Sequence, residues 1–139
     1  SLLLTAMHVG EQANPTCCAY AINIVAQILS CHPKITIAVL SKFRATVRML
    51  QHCFVSLFGQ LDNVLIDTVE RVQGMTCDVC LYYIPNTMLN MSLEKSLFNV
   101  ATSRAKQLTL IIADQSILST TCDSAVATYL QKISTTTIK

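Results

Sequence analysis

At 139 residues the chain is long enough for one domain with a sizeable core, since folding at this length removes roughly two-thirds of the unfolded chain's surface from water. Apolar residues make up 52% and charged ones 13%, about half the charged share of an average soluble chain, which excludes disorder and predicts a heavily buried sheet together with a surface made for a partner. A net charge of +2 is too small to argue for nucleic acid through the global field, so any partner has to be read from local motifs.

Taken in chain order, the first element is a branched apolar run, Leu2–Met7, without the basic start of a signal peptide. No apolar run approaches the roughly 18 uninterrupted residues a membrane span needs. The expectation is a chain without a membrane partner. Cys18, Ile22, Val25 and Leu29 then recur at helical spacing and give one apolar face. Ile35–Leu40 reads as a second strand, and Val47, Leu50, Phe54, Leu57 and Phe58 as a second helix. Val64–Val69, Val79–Ile84 and Leu108–Ala113 complete a set of five runs, each continuous enough to be buried on both faces of a sheet. Residues 70–78 are short for a parallel crossover of about a dozen residues and have room only for a helical turn. A third helix is predicted to start with Ser92 as its cap and to carry Leu93, Leu97 and Val100, and a fourth to carry Val126, Tyr129, Leu130 and Ile133. The remaining Ser134–Lys139 reads as a flexible tail. Alternating strands and helices predict an α/β domain over residues 1–139 with a mostly parallel sheet, and there is no internal repeat or linker.

In such a sheet ligands gather beyond the carboxyl ends of the strands, which draws attention to Thr68-Val-Glu-Arg-Val-Gln-Gly74 after the third strand. Gly74 permits a close backbone approach, and Gln73 offers both a donor and an acceptor. By itself a Gln-Gly pair is more often a turn. Further on, Asn99-Val-Ala-Thr-Ser-Arg-Ala-Lys106 puts Arg104 one helical step beyond Leu97 and Val100, where a solvated arginine is not normally placed. That position calls for an anion, or for the bland alternative of an arginine capping a helix end. After the second strand, Ser41-Lys-Phe-Arg-Ala-Thr-Val-Arg48 projects an aromatic ring and a guanidinium from the first turn following a strand end. Phe43 suits stacking on a base and Arg44 suits a phosphate, whereas Arg44 and Arg48, four apart, also fit a solvated basic stripe.

These stretches resemble motifs V, VI and IV of superfamily 1 helicases, closest to the branch that includes the nonsense-mediated-decay helicase, senataxin and the nidovirus helicases. The pattern there resembles T-V-[DE]-x-x-Q-G followed by N-V-A-x-[ST]-R-A-[RK], with S-P-[YF]-R-A-Q-V-R upstream, and the likeness spans roughly residues 1–118. It implies a RecA-like three-layer sandwich serving as the second motor domain of an ATP-driven helicase or translocase. Arg104 would be the arginine finger that meets charge growing on the transferred phosphate, with Gln73 beside it. Gly74, Thr76, Phe43 and Arg44 would contact the nucleotide, and Thr68 and Ser41 would grip the backbone of single-stranded nucleic acid. Lys42 and Thr46 replace the usual proline and glutamine of motif IV. Thr76 stands where motif V usually carries the carboxylate thought to meet the ribose, and Asp78 is a possible stand-in.

Neither a G-x-x-x-x-G-K-[ST] loop nor an acidic pair for magnesium occurs in these residues. ATP and Mg²⁺ would therefore be held mainly by a first RecA-like domain elsewhere in a longer protein, and this domain alone would be inactive. A non-catalytic scaffold that docks a nuclease or other partner is the alternative, and a flavodoxin-like binder is poorer because Gly10–Asn14 lacks a phosphate loop. Seven cysteines in irregular positions predict a reducing, cytoplasmic setting. Cys77-Asp-Val-Cys80 is expected to bind no metal, because residues three apart in a strand point to opposite faces.

Overall fold

A computed structural model describes residues 2–6, 15–59, 61–72, 74–84, 94–114 and 134–138. All five branched runs become strands, β1 Leu2–Ala6, β2 Ile37–Ser41, β3 Val64–Thr68, β4 Cys77–Tyr83 and β5 Ala105–Asp114. Ser134–Ile138 adds β6, which pairs in parallel with β1. The expected flexible tail is thus a strand from residue 134 to 138; its run of three threonines and an isoleucine is β-branched and finds an open edge to join. The sheet order is β3-β2-β4-β5-β1-β6 and every neighbouring pair is parallel.

Parallel strands bury both faces, and the period-two alternation of each run divides its residues between two cores. Ile37, Val39, Val79, Leu81, Leu110 and Ile112 point to one face, where Ala21, Ile22 and Val25 of α1 (Pro15–Cys31) and Val47, Leu50 and Phe54 of α2 (Arg44–Phe58) cover them. Ala38, Leu40, Cys80, Tyr82 and Ile111 point to the other, beneath Phe98 and Ala101 of α3 (Lys95–Thr102) and beneath Val69 and Val72 of a 3₁₀ turn, Val69–Val72. Helices on both sides of one sheet give the three-layer α/β sandwich expected from the alternation. Among the described residues the 3₁₀ turn is the regular content of the β3–β4 connection, as the short spacing required.

Two local expectations shift. Ser92 and Leu93 lie outside the described residues; α3 begins at Lys95, and its N-cap is Glu94, whose carboxylate accepts the N–H of Leu97 at 2.9 Å. That places a negative charge on an uncompensated helix start. The helix buries Phe98 and Ala101 and leaves Leu97 and Val100 on the flank, so its apolar stripe is rotated by one position from the one predicted. The expected fourth helix, around Val126 to Ile133, lies outside the described residues.

Where β4 begins, the ladder slips between Cys77 and Val79, and the carbonyl of Thr36 accepts the N–H of both Asp78 and Val79, at 3.1 and 3.0 Å. This irregularity reverses the facing of Cys77 relative to the rest of the strand. Cys77 and Cys80 consequently enter the same core cluster, and the argument that strand alternation separates their thiols is corrected by the bulge. Among the described residues no group of three or more potential metal ligands assembles around them, and two thiols alone fall short of a structural zinc site.

Asp78 itself faces outward and closes a clasp with Thr36. Its carboxylate accepts from the Thr36 backbone N–H at 3.1 Å and from the Thr36 hydroxyl at 3.0 Å, while the same hydroxyl accepts the Asp78 N–H at 2.9 Å. The Thr36 backbone bond, then its hydroxyl, hold the Asp78 carboxyl below its ordinary value. Because the folded state favours the charged form, the clasp stabilises the domain above the ordinary aspartate pKa of about 4 and fades as pH falls through the lower folded-state value. Thermal melts should therefore show a loss of stability at acid pH that Asp78→Asn abolishes; identical pH dependence in both proteins would remove the clasp from the account.

Candidate functional site

In an all-parallel sheet the strand starts line one edge and the strand ends line the other. Arg104 immediately precedes β5, Thr76 immediately precedes β4, and Asn63 immediately precedes β3, so all three lie at the amino edge. Gly74 belongs here too. The expectation that this loop occupies the carboxyl edge fails because Val69–Val72 carries the chain back across the sheet from the end of β3 to the start of β4. Gly74 has φ +83° with nothing within 4 Å of where a Cβ would stand; the backbone conformation requires glycine, and the space beside it is open.

Arg104 is held against that loop. Its Nη1 donates to the Met75 carbonyl at 3.3 Å, its Nε to the Val100 carbonyl at 3.1 Å and its Nη2 to the Ser103 hydroxyl at 3.0 Å. The bond to Val100 satisfies a carbonyl at the end of α3, so the helix-capping role that the bare sequence also allowed is present. Three bonds leave two of the five guanidinium N–H groups without a partner among the described residues. Motifs V and VI, thirty residues apart in the chain, are thereby joined at one edge by a side-chain to backbone bond.

Arg104, Thr76, Met75 and Cys77 wall a cavity of about 160 Å³ whose far side is Thr36, Asp62 and Asn63. For scale, a cavity of about 150 Å³ admits one benzene ring. Asp62 and Asn63 were not singled out in the sequence, although a polar pair directly before a buried strand could have been noticed as amino-edge chemistry. Asn63 is partly committed to structure, donating to the carbonyls of Ile35 at 2.8 Å and Pro33 at 3.1 Å. Asp78, the suggested replacement for a motif V carboxylate, is engaged with Thr36 and does not line this cavity. Gln73 lies outside the described residues.

The opposite edge gathers the motif IV residues. Ser41 ends β2, Phe43 is the N-cap residue of α2 and Arg44 opens that helix, while Thr68 ends β3 beside Ser41 in register. Phe43 and Arg44 are therefore separated from Arg104 by the length of the strands, and the structure does not bring them around one nucleotide with it. The reason is directional: motif IV follows a strand and motif VI precedes one. Ser41 is fully buried and Thr68 nearly so, so neither hydroxyl is presented to a strand of nucleic acid on the surface; among the described residues the Ser41 hydroxyl finds no partner. Exposed at this edge instead are Arg44 and Arg48, at a helix start that has no side-chain cap and no acidic residue in its first turn. Lys42 is turned to Glu70 at 2.5 Å, which ties the motif IV loop to the 3₁₀ turn of motif V.

A family profile described as an AAA domain matches residues 5–116, most of the 139-residue chain. The chain belongs to that family. The match fits a superfamily 1 helicase-like domain, an NTPase of the P-loop kind, and the parallel sandwich agrees with it. No curated protein matches the sequence of this AAA domain.

Proposed function

We propose that this AAA domain is the second RecA-like motor domain of an ATP-dependent superfamily 1 helicase or translocase, of the branch its motifs V and VI resemble. The observation that carries the reading is the joining of Arg104 to the Gly74–Thr76 loop at the amino edge. A guanidinium with two donors unused among the described residues, an open glycine backbone and a hydroxyl converge there, which is a partial site for a polyanion. Gly74, Thr76 and Arg104, with Gln73 by sequence, would close over the phosphates and sugar of ATP presented by a first RecA-like domain. Among the described residues there is no acidic cluster that fits Mg²⁺, so in this reading the metal is held outside them.

The carboxyl edge then serves single-stranded nucleic acid. Arg44 and Arg48 at the uncapped start of α2 offer charge to phosphates, and half-buried Phe43 offers a stacking face. This reassigns Phe43 and Arg44 from nucleotide to strand and keeps Thr68 and Ser41 beneath that track as support.

In the full-length protein, ATP turnover is expected to rise when single-stranded DNA or RNA is added. Arg44→Ala together with Arg48→Ala should weaken strand binding and flatten its salt dependence by about one to two phosphate contacts, with turnover at saturating strand within a few-fold of wild type. The 139-residue domain alone should show no ATP binding at micromolar concentrations by titration calorimetry. Micromolar affinity or turnover by the domain alone would mean that it carries a complete phosphate site, and the proposal would be abandoned.

A further inference from the structure

The C-x-x-C of β4 takes no part in the proposed motor chemistry, yet it lies against the residue on which that chemistry turns. The bulge at which the Asp78 and Val79 N–H groups share the Thr36 carbonyl brings both thiols to the α3 side of the sheet. There Cys77 Sγ lies 3.8 Å from the Arg104 carbonyl and Cys80 Sγ 3.3 Å from the Ala101 carbonyl, acceptors three residues apart at the end of α3. The Cys77 N–H also donates to the Arg104 carbonyl, at 3.0 Å. Cys80 is fully buried and Cys77 is 8% exposed, and of the two Cys77 alone lines the cavity beside Arg104, the side from which a small oxidant would arrive.

We propose that Cys77 and Cys80 are an oxidation site: hydrogen peroxide converts the pair to a disulfide, and the bond releases Arg104 from its place at the amino edge. The sulfur of Cys77 attacks one peroxide oxygen, the O–O bond breaks, and the leaving oxygen departs as water, giving a sulfenic acid. The Cys80 sulfur then attacks the Cys77 sulfur, the S–O bond breaks, and the oxygen leaves as a second water with the Cys80 proton. Two thiols lose two electrons and the peroxide gains them. The neighbouring Cys80 thiol holds the Cys77 thiol below its ordinary value, while that contact and burial push Cys80 up. This assigns attack to Cys77 and resolution to Cys80. A disulfide needs Cα atoms within about 7 Å, so its closure pulls the start of β4 toward Cys80. Both S–H contacts to the α3 carbonyls are lost, and the Met75 carbonyl that holds the guanidinium moves with the strand.

The test treats reduced full-length protein with graded hydrogen peroxide, alkylates remaining thiols and digests with trypsin. Val72–Lys95, bounded by Arg71 and its own Lys95, contains Cys77 and Cys80 and no other cysteine. The expected product is this peptide unalkylated and two hydrogen masses lighter, reverting with dithiothreitol. Cys80→Ala should instead leave a sulfenic acid on Cys77 that dimedone traps. Alkylation of both cysteines after peroxide has already oxidised exposed Cys31 overturns the site. The effect on Arg104 rests on the function proposed above: turnover should fall with disulfide formation and return on reduction. Turnover unchanged by the disulfide, in a protein whose Arg104→Ala variant is inactive, overturns the link between the thiols and Arg104. Arg104→Ala retaining full turnover would defeat the proposed function alone, because the mass readout does not depend on it.

Discussion

Arg104→Ala in the full-length protein is expected to lower ATP turnover by about 10² or more while leaving nucleic-acid affinity within a few-fold. A fixed guanidinium at the amino edge would meet charge that is greatest in the transition state, so its removal acts on turnover and hardly on ground-state binding. The strand track proposed above would lie at the other edge, beyond the length of β2. Folding should survive, since the three hydrogen bonds of the side chain lie at a partly exposed site, where water can take over the carbonyls it leaves. Arg104→Lys should restore little. One ammonium cannot reach the Met75 and Val100 carbonyls and also present parallel donors to phosphate oxygens. Steady-state kinetics beside a thermal melt decide the matter: near-normal turnover in a folded Arg104→Ala protein would reduce Arg104 to the helix cap that its bond to Val100 already makes it.

The largest expected effect on stability belongs to Phe98. It is 1% exposed and is the main anchor of α3, a helix of only 8 residues. Its ring packs on Tyr82 of β4 with centroids 6.2 Å apart and planes tilted by 58°. Truncation to alanine should cost about 3–5 kcal/mol, the transfer of a ring together with the cavity it leaves. So short a helix has little stability of its own and depends on this contact. Because the Arg104 guanidinium is bonded to the end of that helix, Phe98→Ala should also lower turnover at temperatures where the domain remains folded. Phe98→Leu should recover much of both. Denaturant titration checks the first expectation, and a loss below about 1 kcal/mol would mean that α3 is held by something other than its buried face.

The sequence by itself determined the layers. Five runs of branched residues specified five strands within a few positions, because a strand buried on both faces has to be continuously apolar, and the helical spacing at Ile22, Val25, Val47, Leu50 and Phe54 marked residues that cover one face. It determined the family motifs as well, since the residues of motifs V and VI are adjacent in the chain and can be read without knowing where the chain goes. What it left open was direction. Motif IV follows β2 and motif VI precedes β5, and only the sheet topology shows that these places are opposite edges, which separates Phe43 and Arg44 from Arg104 and draws Gly74 and Asp62 toward it. The same limit applies to Cys77 and Cys80: regular alternation separates them, and a bulge at Asp78 and Val79, whose N–H groups share the carbonyl of Thr36, distant in sequence, unites them. Local pattern is set by each residue's own burial, and a window of sequence contains that information. Which edge a loop reaches, and where a ladder slips, depend on partners contributed by other strands, so those features exist only once the sheet has formed.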